Sequence, residues 1–303
     1  MLKYQMIKGN TGCLTLRGCC IPFYKLSEKE WILMDSGMKA DRQELLAYFS
    51  ENQIVIKAIL TSHAHFDHVG NHMALREKYG SQIIMTAFDA GMTYCPSSVK
   101  ACFYHETYSE VLANYDEMIV KTDRIIELDQ EEIMVCGVNF RILWLPGHAA
   151  SQVGFATPDE VLYLADVLVN RETIEREKML YTLEWKMAID SIRQLKTLPK
   201  YSYYVLAHCG VYEEIEDLID ANLEAAETMV NLTYQLIPES ASMDVIIRQV
   251  IAGMGIKVRN IARAKYMERL IRSILENMTE TGKVETAVED GIVIYRKKYI
   301  NDR

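Results

Sequence analysis

Apolar positions come in short runs separated by polar loops through the first two thirds of the chain, at about 14–16, 31–34, 58–60, 83–85, 140–145, 161–164 and 203–207. Runs of this length bounded by turn residues predict strands. Between them, 71–79 and 183–195 have helical spacing, so this part of the chain reads as α/β. Asn71 stands where it would cap the first turn of the earlier helix and Gly80 where it would end it, which starts that helix just after His68.

The pattern then changes. Ile215, Leu218, Ile219, Leu223, Ala226, Met229, Val230 and Leu232 recur at helical spacing and predict one amphipathic helix over 213–236, ended by Pro238. A shorter helix at 245–251 and a longer one at 256–278 follow, and then two strand-like runs on either side of Glu289-Asp290-Gly291. Helices followed by a hairpin suggest a small winged-helix-like domain. The expected division is therefore a domain at 1–212 and a helical, winged-helix-like domain at 213–303.

With 303 residues, 50% of them apolar and 25% charged, the chain is long enough for about two ordinary domains and lies far from disordered or fibrous compositions. The net charge of −9 argues against an all-over nucleic-acid coat. Residues 245–303 are locally basic, with 12 Lys and Arg against 7 Asp and Glu. The seven cysteines are odd in number and scattered, with neighbours at Cys19 and Cys20, so a disulfide framework is not expected. The first residues lack a continuous apolar segment, and nothing approaches the roughly 18 to 20 apolar residues that span a bilayer, so the expected location is the cytoplasm, with no membrane partner.

The chemistry is concentrated in residues 61–71, TSHAHFDHVGN, where three of the seven histidines fall within six positions. In an extended segment i and i+2 point the same way, so His63 and His65 can address one metal ion, while a turn at Phe66 lets Asp67 and His68 reach a second. Each ion needs further donors. His148 follows Gly147 in a loop after a strand, Asp166 ends the run at 161–165, and His208 ends the run at 203–207. All three are at strand ends, where loops carry function on a rigid scaffold.

H-x-H-x-D-H, a Gly-His loop, an Asp after a strand and a final His, in this order, resemble the metallo-β-lactamase-fold hydrolase superfamily over about residues 1–210. The resemblance implies an αβ/βα four-layer sandwich with metals at one edge, followed here by the smaller C-terminal helical domain. It assigns His63, His65 and His148 to one ion, Asp67, His68 and His208 to the other, and Asp166 to both. It further implies two divalent ions per chain, with zinc first and iron or manganese as alternatives. A metal-bridging hydroxide would then attack the substrate while Asp67 assists proton transfer. Asp35, in an Asp-x-Gly element, is assigned an orienting role.

Other residues have plainer readings. His72 is expected on a helix face, with support of a metal ligand as the alternative, and His105, amid aromatic residues, in packing, with substrate contact over the active site as the alternative. Cys209 points away from its neighbour His208 and reads as structural. Lys257, Arg259, Arg263, Lys265, Arg269 and Arg272 read as a solvated helix face. The leading function is a dinuclear metal-dependent hydrolase of a small-molecule thioester, ester or lactone. The alternative is a phosphodiesterase or nuclease whose basic C-terminal domain docks nucleic acid or nucleotide. Asn71, where glyoxalase II-like enzymes continue Gly-Gly, argues against that particular subgroup. The substrate-reading residues are expected within 88–121 and 169–201, and a homodimer stays open.

Overall fold

The computed structural model describes residues 2–298. Its first sheet runs in chain order through β1 (Lys3–Lys8), β2 (Thr11–Leu16), β3 (Cys19–Lys25), β4 (Glu30–Met34), β5 (Val55–Leu60), β6 (Gln82–Thr86) and β7 (Arg124–Ile126). The strands pair antiparallel up to β4 and parallel from there on. The second sheet holds β8 (Glu132–Val135), β9 (Val138–Trp144), β10 (Val153–Ala156), β11 (Val161–Ala165), β12 (Tyr203–Leu206) and β13 (Gly210–Tyr212), again as spatial neighbours in sequence order.

The two sheets face each other, and alternation along the strands decides which core each side chain joins. Ile32 and Met34 of β4 meet Phe140, Phe155 and Tyr163 between the sheets, whereas Trp31 and Leu33 face outward to Leu45 and Phe49 of α1 (Arg42–Glu51). Both faces are buried, so the sequence shows continuous apolar runs instead of alternating ones. On the outer side of the first sheet lie also α2 (Phe66–Val69), α3 (His72–Tyr79), α4 (Ala87–Thr93), α5 (Pro96–Cys102) and α6 (Tyr108–Asn114). After α7 (Arg171–Arg176), α8 (Trp185–Leu195) and the start of α9 (Glu216–Leu236) cover the outer face of the second sheet through Ile192, Leu195, Leu218 and Ile219. This is the expected αβ/βα sandwich.

The C-terminal part has a core of its own. The later turns of α9 pack with α10 (Met243–Gly253) and α11 (Ile261–Glu280), whose Met267, Leu270, Ile271, Ile274, Leu275 and Met278 are fully buried at helical spacing. A small sheet in the order β14 (Ser240–Ser242), β16 (Ile292–Lys297), β15 (Val284–Glu289) closes it. The expected hairpin is present, turning at Asp290 and Gly291 with φ of 49° and 76°, as a two-residue primed turn requires. The last five residues of the expected second domain lie outside the described residues.

Several boundaries differ from expectation. The long helix starts at Ile261 and not near 256, because Asn260 takes the N-cap and accepts a hydrogen bond from the Arg263 amide at 2.8 Å. Helix α8 starts at Trp185, two residues late. Asp67 and His68 sit on the short helix α2 and not on a simple turn. Asn71 precedes α3 but caps nothing with its side chain: its amide donates to the Ser36 and Met38 carbonyls and its oxygen accepts from Arg42. Gly80 ends α3 in the left-handed region, as expected.

Candidate metal centre

Five strand ends meet at one edge of the sandwich. Asp35 follows β4, the 61–68 segment follows β5, His148 lies in the loop after β9, Asp166 directly follows β11, and His208 comes two residues after β12. Main-chain hydrogen bonds fasten these ends to one another: Asp35 N–H to the Leu60 carbonyl at 2.8 Å, Ser36 N–H to His68 at 2.7 Å and Val153 N–H to Ser62 at 2.9 Å. Cys20 N–H to the Ala207 carbonyl, 2.7 Å, ties the first sheet to the second. At Gly147 φ is +134°, and a Cβ there would lie 2.3 Å from the Ala188 backbone, so only glycine admits the turn that aims His148.

All seven predicted ligands converge, in two groups. His63, His65 and His148 form one, and Asp67, His68, Asp166 and His208 the other, with the donor atoms of each group within 4.8 Å of one another. His65 presents Nδ1, which lies 3.0 Å from His63 Nε2 and 3.1 Å from His148 Nε2. In the second group His68 Nε2 is 3.2 Å from Asp166 Oδ2, and His208 Nε2 is 3.2 Å from Asp67 Oδ2 and 3.5 Å from Asp166 Oδ1. Asp166 Oδ2 also lies 3.3 Å from His148 Nε2 and 3.9 Å from His63 Nε2. Its carboxylate therefore stands between the groups.

The far side of three of the rings is held. Asp35, with φ at +63°, accepts hydrogen bonds from His68 Nδ1 at 2.8 Å, Ser62 N–H at 2.7 Å, Ser62 Oγ at 2.6 Å and the Tyr163 hydroxyl at 2.7 Å. Ser62 Oγ, having donated to Asp35, accepts from His63 Nδ1 at 3.1 Å. These bonds engage Nδ1 of both histidines and turn Nε2 toward the ligand groups. His208 Nδ1 rests 3.5 Å from the Cys19 thiol. Asp89, unnoticed in the sequence, accepts from Ala64 N–H and from Ser151 Oγ at 2.9 Å, fixing the H-x-H segment to the loop beyond His148.

Charge divides the cluster the same way. Burial, reinforced by the neighbouring imidazoles, keeps His63 and His65 neutral, His65 titrating only at about 3. Burial alone would raise Asp67 and Asp166, but the His68 imidazole and its neighbours hold both ionised, Asp67 at about 2 and Asp166 well below the carboxylate range. Burial would lower His68, yet Asp166, Asp67 and Asp35 push it well above its ordinary value. The carboxylates thus stay ionised beside a positively charged His68, while the first group offers neutral imidazoles, and His with Asp is a donor set that takes divalent ions, whose charge would replace the proton on His68.

A cavity of about 530 Å³ opens over the cluster, with His65, Asp67, His148, Asp166 and His208 in its floor. Two plain readings of the sequence are incomplete here. His105 is in the cavity wall and not merely packed, its Nδ1 facing Glu268 at 3.7 Å. Nor is the basic stretch a uniform solvated face: Arg263, Lys265 and Arg269 line the cavity because the first turns of α11 lie across it. Lys257 and Arg259 are exposed, as expected, and Arg272 pairs with Glu268 at 3.2 Å. His72 is fully buried, its Nδ1 2.7 Å from Ser36 Oγ and its Nε2 2.8 Å from Thr61 Oγ1. Cys209 stays outside both ligand groups and accepts from Asn170 N–H at 3.3 Å.

Residues 23–208 match the model of a family described as the metallo-beta-lactamase superfamily. The hydroxyacylglutathione hydrolase GloC of Haemophilus influenzae is 31% identical over 147 residues, 46% of this chain and 62% of that protein. A probable metallo-hydrolase of Bacillus subtilis is 22% identical over 61% of this chain and 83% of its own. Thus the chain spans less than two thirds of the first relative. In fold, a metallo-beta-lactamase family protein from Thermus thermophilus superposes with a TM-score of 0.71 at 18% identity, covering 98% of both chains. A beta-lactamase domain protein from Burkholderia ambifaria gives 0.72 at 14%, covering 98% and 94%. Both likenesses include the C-terminal helices.

Proposed function

The chain belongs to the metallo-beta-lactamase superfamily, and from that premise we propose that it is a metal-dependent hydrolase of a small-molecule thioester, with other esters and lactones as related substrates. The observation that carries this reading is the convergence of two ligand groups, with Asp166 between them, in the floor of a cavity of small-molecule size. Relatives named for hydroxyacylglutathione hydrolysis support carbonyl chemistry on a thioester.

In this proposal His63, His65 and His148 hold one divalent ion, Asp67, His68 and His208 a second, and Asp166 touches both; zinc suits the donors best, with iron or manganese as alternatives. Such ions, when bound, supply Lewis acidity and bring the pKa of a water to about 7. Asp67 is the catalytic residue of the chain itself. As water oxygen adds to the thioester carbon, the carboxylate oxygen of Asp67 that does not ligate takes the released proton. The C–S bond then breaks with its electron pair on sulfur, and that proton passes to the thiolate, giving one carboxylic acid and one thiol.

The proposal also treats 213–303 as a second, winged-helix-like domain that roofs the site, and places the protein in the cytoplasm, which suits seven free cysteines. No helix among the described residues is long and apolar enough to cross a membrane. The nuclease form of the phosphodiester alternative has less support, since three of the six basic residues turn into the cavity and away from an outer docking face. The test compares turnover of an acyl thioester and a phosphodiester by the metal-loaded protein, with Asp67→Ala as control. Faster thioester cleavage that the control lacks is the expected result; faster phosphodiester cleavage overturns the proposal.

A further inference from the structure

The space over the ligand cluster has two chambers. Beside the cavity already described lies one of about 410 Å³, which reaches the same His148, Asp166 and His208. Tyr181 and Tyr266 belong to the walls of both, and their rings stack at 5.7 Å and 24°. The Tyr181 ring is also 5.0 Å from His148 and 5.4 Å from His65. A substrate with its reacting bond at the cluster therefore sends one arm to each side of this pair.

The chambers differ in charge. The smaller one mixes apolar residues, among them Leu145, Met179, Trp185 and Ile192, with polar ones, and carries Glu172, Glu177 and Arg176, the last two paired at 3.3 Å. In the larger one the single carboxylate of the wall, Glu106, is neutralised by Lys265 at 3.0 Å. Two guanidinium groups remain, and among the described residues neither has a carboxylate within ion-pair distance. Arg269 lies over the Phe103 ring at 5.0 Å and the Tyr181 ring at 5.7 Å, and Arg263 over the Tyr266 ring at 4.9 Å. A guanidinium held over an aromatic face without a carboxylate partner keeps N–H groups for other acceptors, and these match the oxygens of a carboxylate or phosphate.

We propose that the larger chamber is an anion-reading subsite: Arg263 and Arg269 receive a carboxylate or phosphate carried on one arm of the substrate. The inference rests on the hydrolase reading for the placement of the reacting bond, but binding alone tests it.

The probes are 6-mercaptohexanoate, 6-mercaptohexyl phosphate and 6-mercaptohexanamide, which carry the same thiol for zinc and differ at the far end. Calorimetry on the zinc-loaded full chain is expected to show at least one anionic probe binding about 10-fold or more tighter than the amide, as one charge-assisted hydrogen bond provides. Whichever anion binds tighter names the group. Arg269→Gln, which keeps a flat group over Phe103, and Arg263→Gln are each expected to remove most of that preference and leave amide binding unchanged. Equal binding of all three probes by the unaltered protein overturns the inference, as do variants that weaken all three alike. Should thioester turnover fail while the preference stands, the reaction is wrong and the subsite holds.

Discussion

The Asp35 carboxylate lies 2.8 Å from His68 Nδ1 while the other ring nitrogen of His68 lies 3.2 Å from Asp166. One imidazole thus spans from the buried end of β4 to the carboxylate shared by both ligand groups. Asp35 also fastens Ser62, which in turn holds His63, so a single side chain orients one histidine in each group.

Removing that support is expected to loosen metal binding without emptying the cavity. Asp35→Asn should lower zinc affinity about 10- to 100-fold, the range for partners that orient a ligating histidine. Competition with a chromophoric chelator measures it, and activity at saturating zinc should recover in part. Unchanged affinity would show that packing alone sets the His68 ring.

Asp166 makes a stronger demand, because its two oxygens approach His68, His208, His148 and His63. Asp166→Ala is expected to deplete both ions, whereas His65→Ala should deplete chiefly one. Metal content per chain after gel filtration, read by mass spectrometry, separates the two cases. Hydrolysis by Asp166→Ala should fall in step with the metal content, since the proposed chemistry needs the metal-loaded cluster.

At Gly147 the expected damage comes from the backbone. Gly147→Ala places a methyl group 2.3 Å from Ala188 at a φ of +134°. Strain and overpacking together should cost about 3 kcal/mol or more, and the displaced loop should carry His148 out of its group. A urea titration gives the first quantity and zinc stoichiometry the second. A variant of normal stability that still binds its full zinc would refute this account.

The convergence of the candidate ligands was legible in the sequence because its chemistry is local: spacing puts His63, His65, Asp67 and His68 together, and each remaining candidate ends an apolar run. The strands with polar or broken patterns were not. Pro22 interrupts β3, yet it is tolerated since pairing with β4 begins only at Phe23. The cavity wall was illegible for another reason. Arg263, Arg269 and His105 acquire their place from the way α11 crosses the 103–115 segment, a tertiary fact that helical periodicity does not encode. Asn71 shows the converse: its position suits a cap, but its side-chain oxygen, the atom that would cap, accepts from Arg42 while its amide donates to the Ser36 and Met38 carbonyls.

His72 gives the last prediction its sign. Burial, with the nearby Asp35 opposing and His68 assisting, lowers its titration to about 4, while in the unfolded chain a histidine titrates near 6.5. The unfolded state therefore binds a proton that the folded state refuses as pH falls below about 6.5, and the stabilisation fully present above that value drains away toward pH 4. Between pH 7.5 and pH 5 the loss from this one residue should be about 2 kcal/mol. Other groups titrate in the same interval, so the quantity to measure is the stability of the unaltered protein minus that of His72→Asn, by urea unfolding at each pH. That difference should shrink by about 2 kcal/mol on acidification. A constant difference would mean that His72 takes up its proton without leaving its place between Ser36 and Thr61.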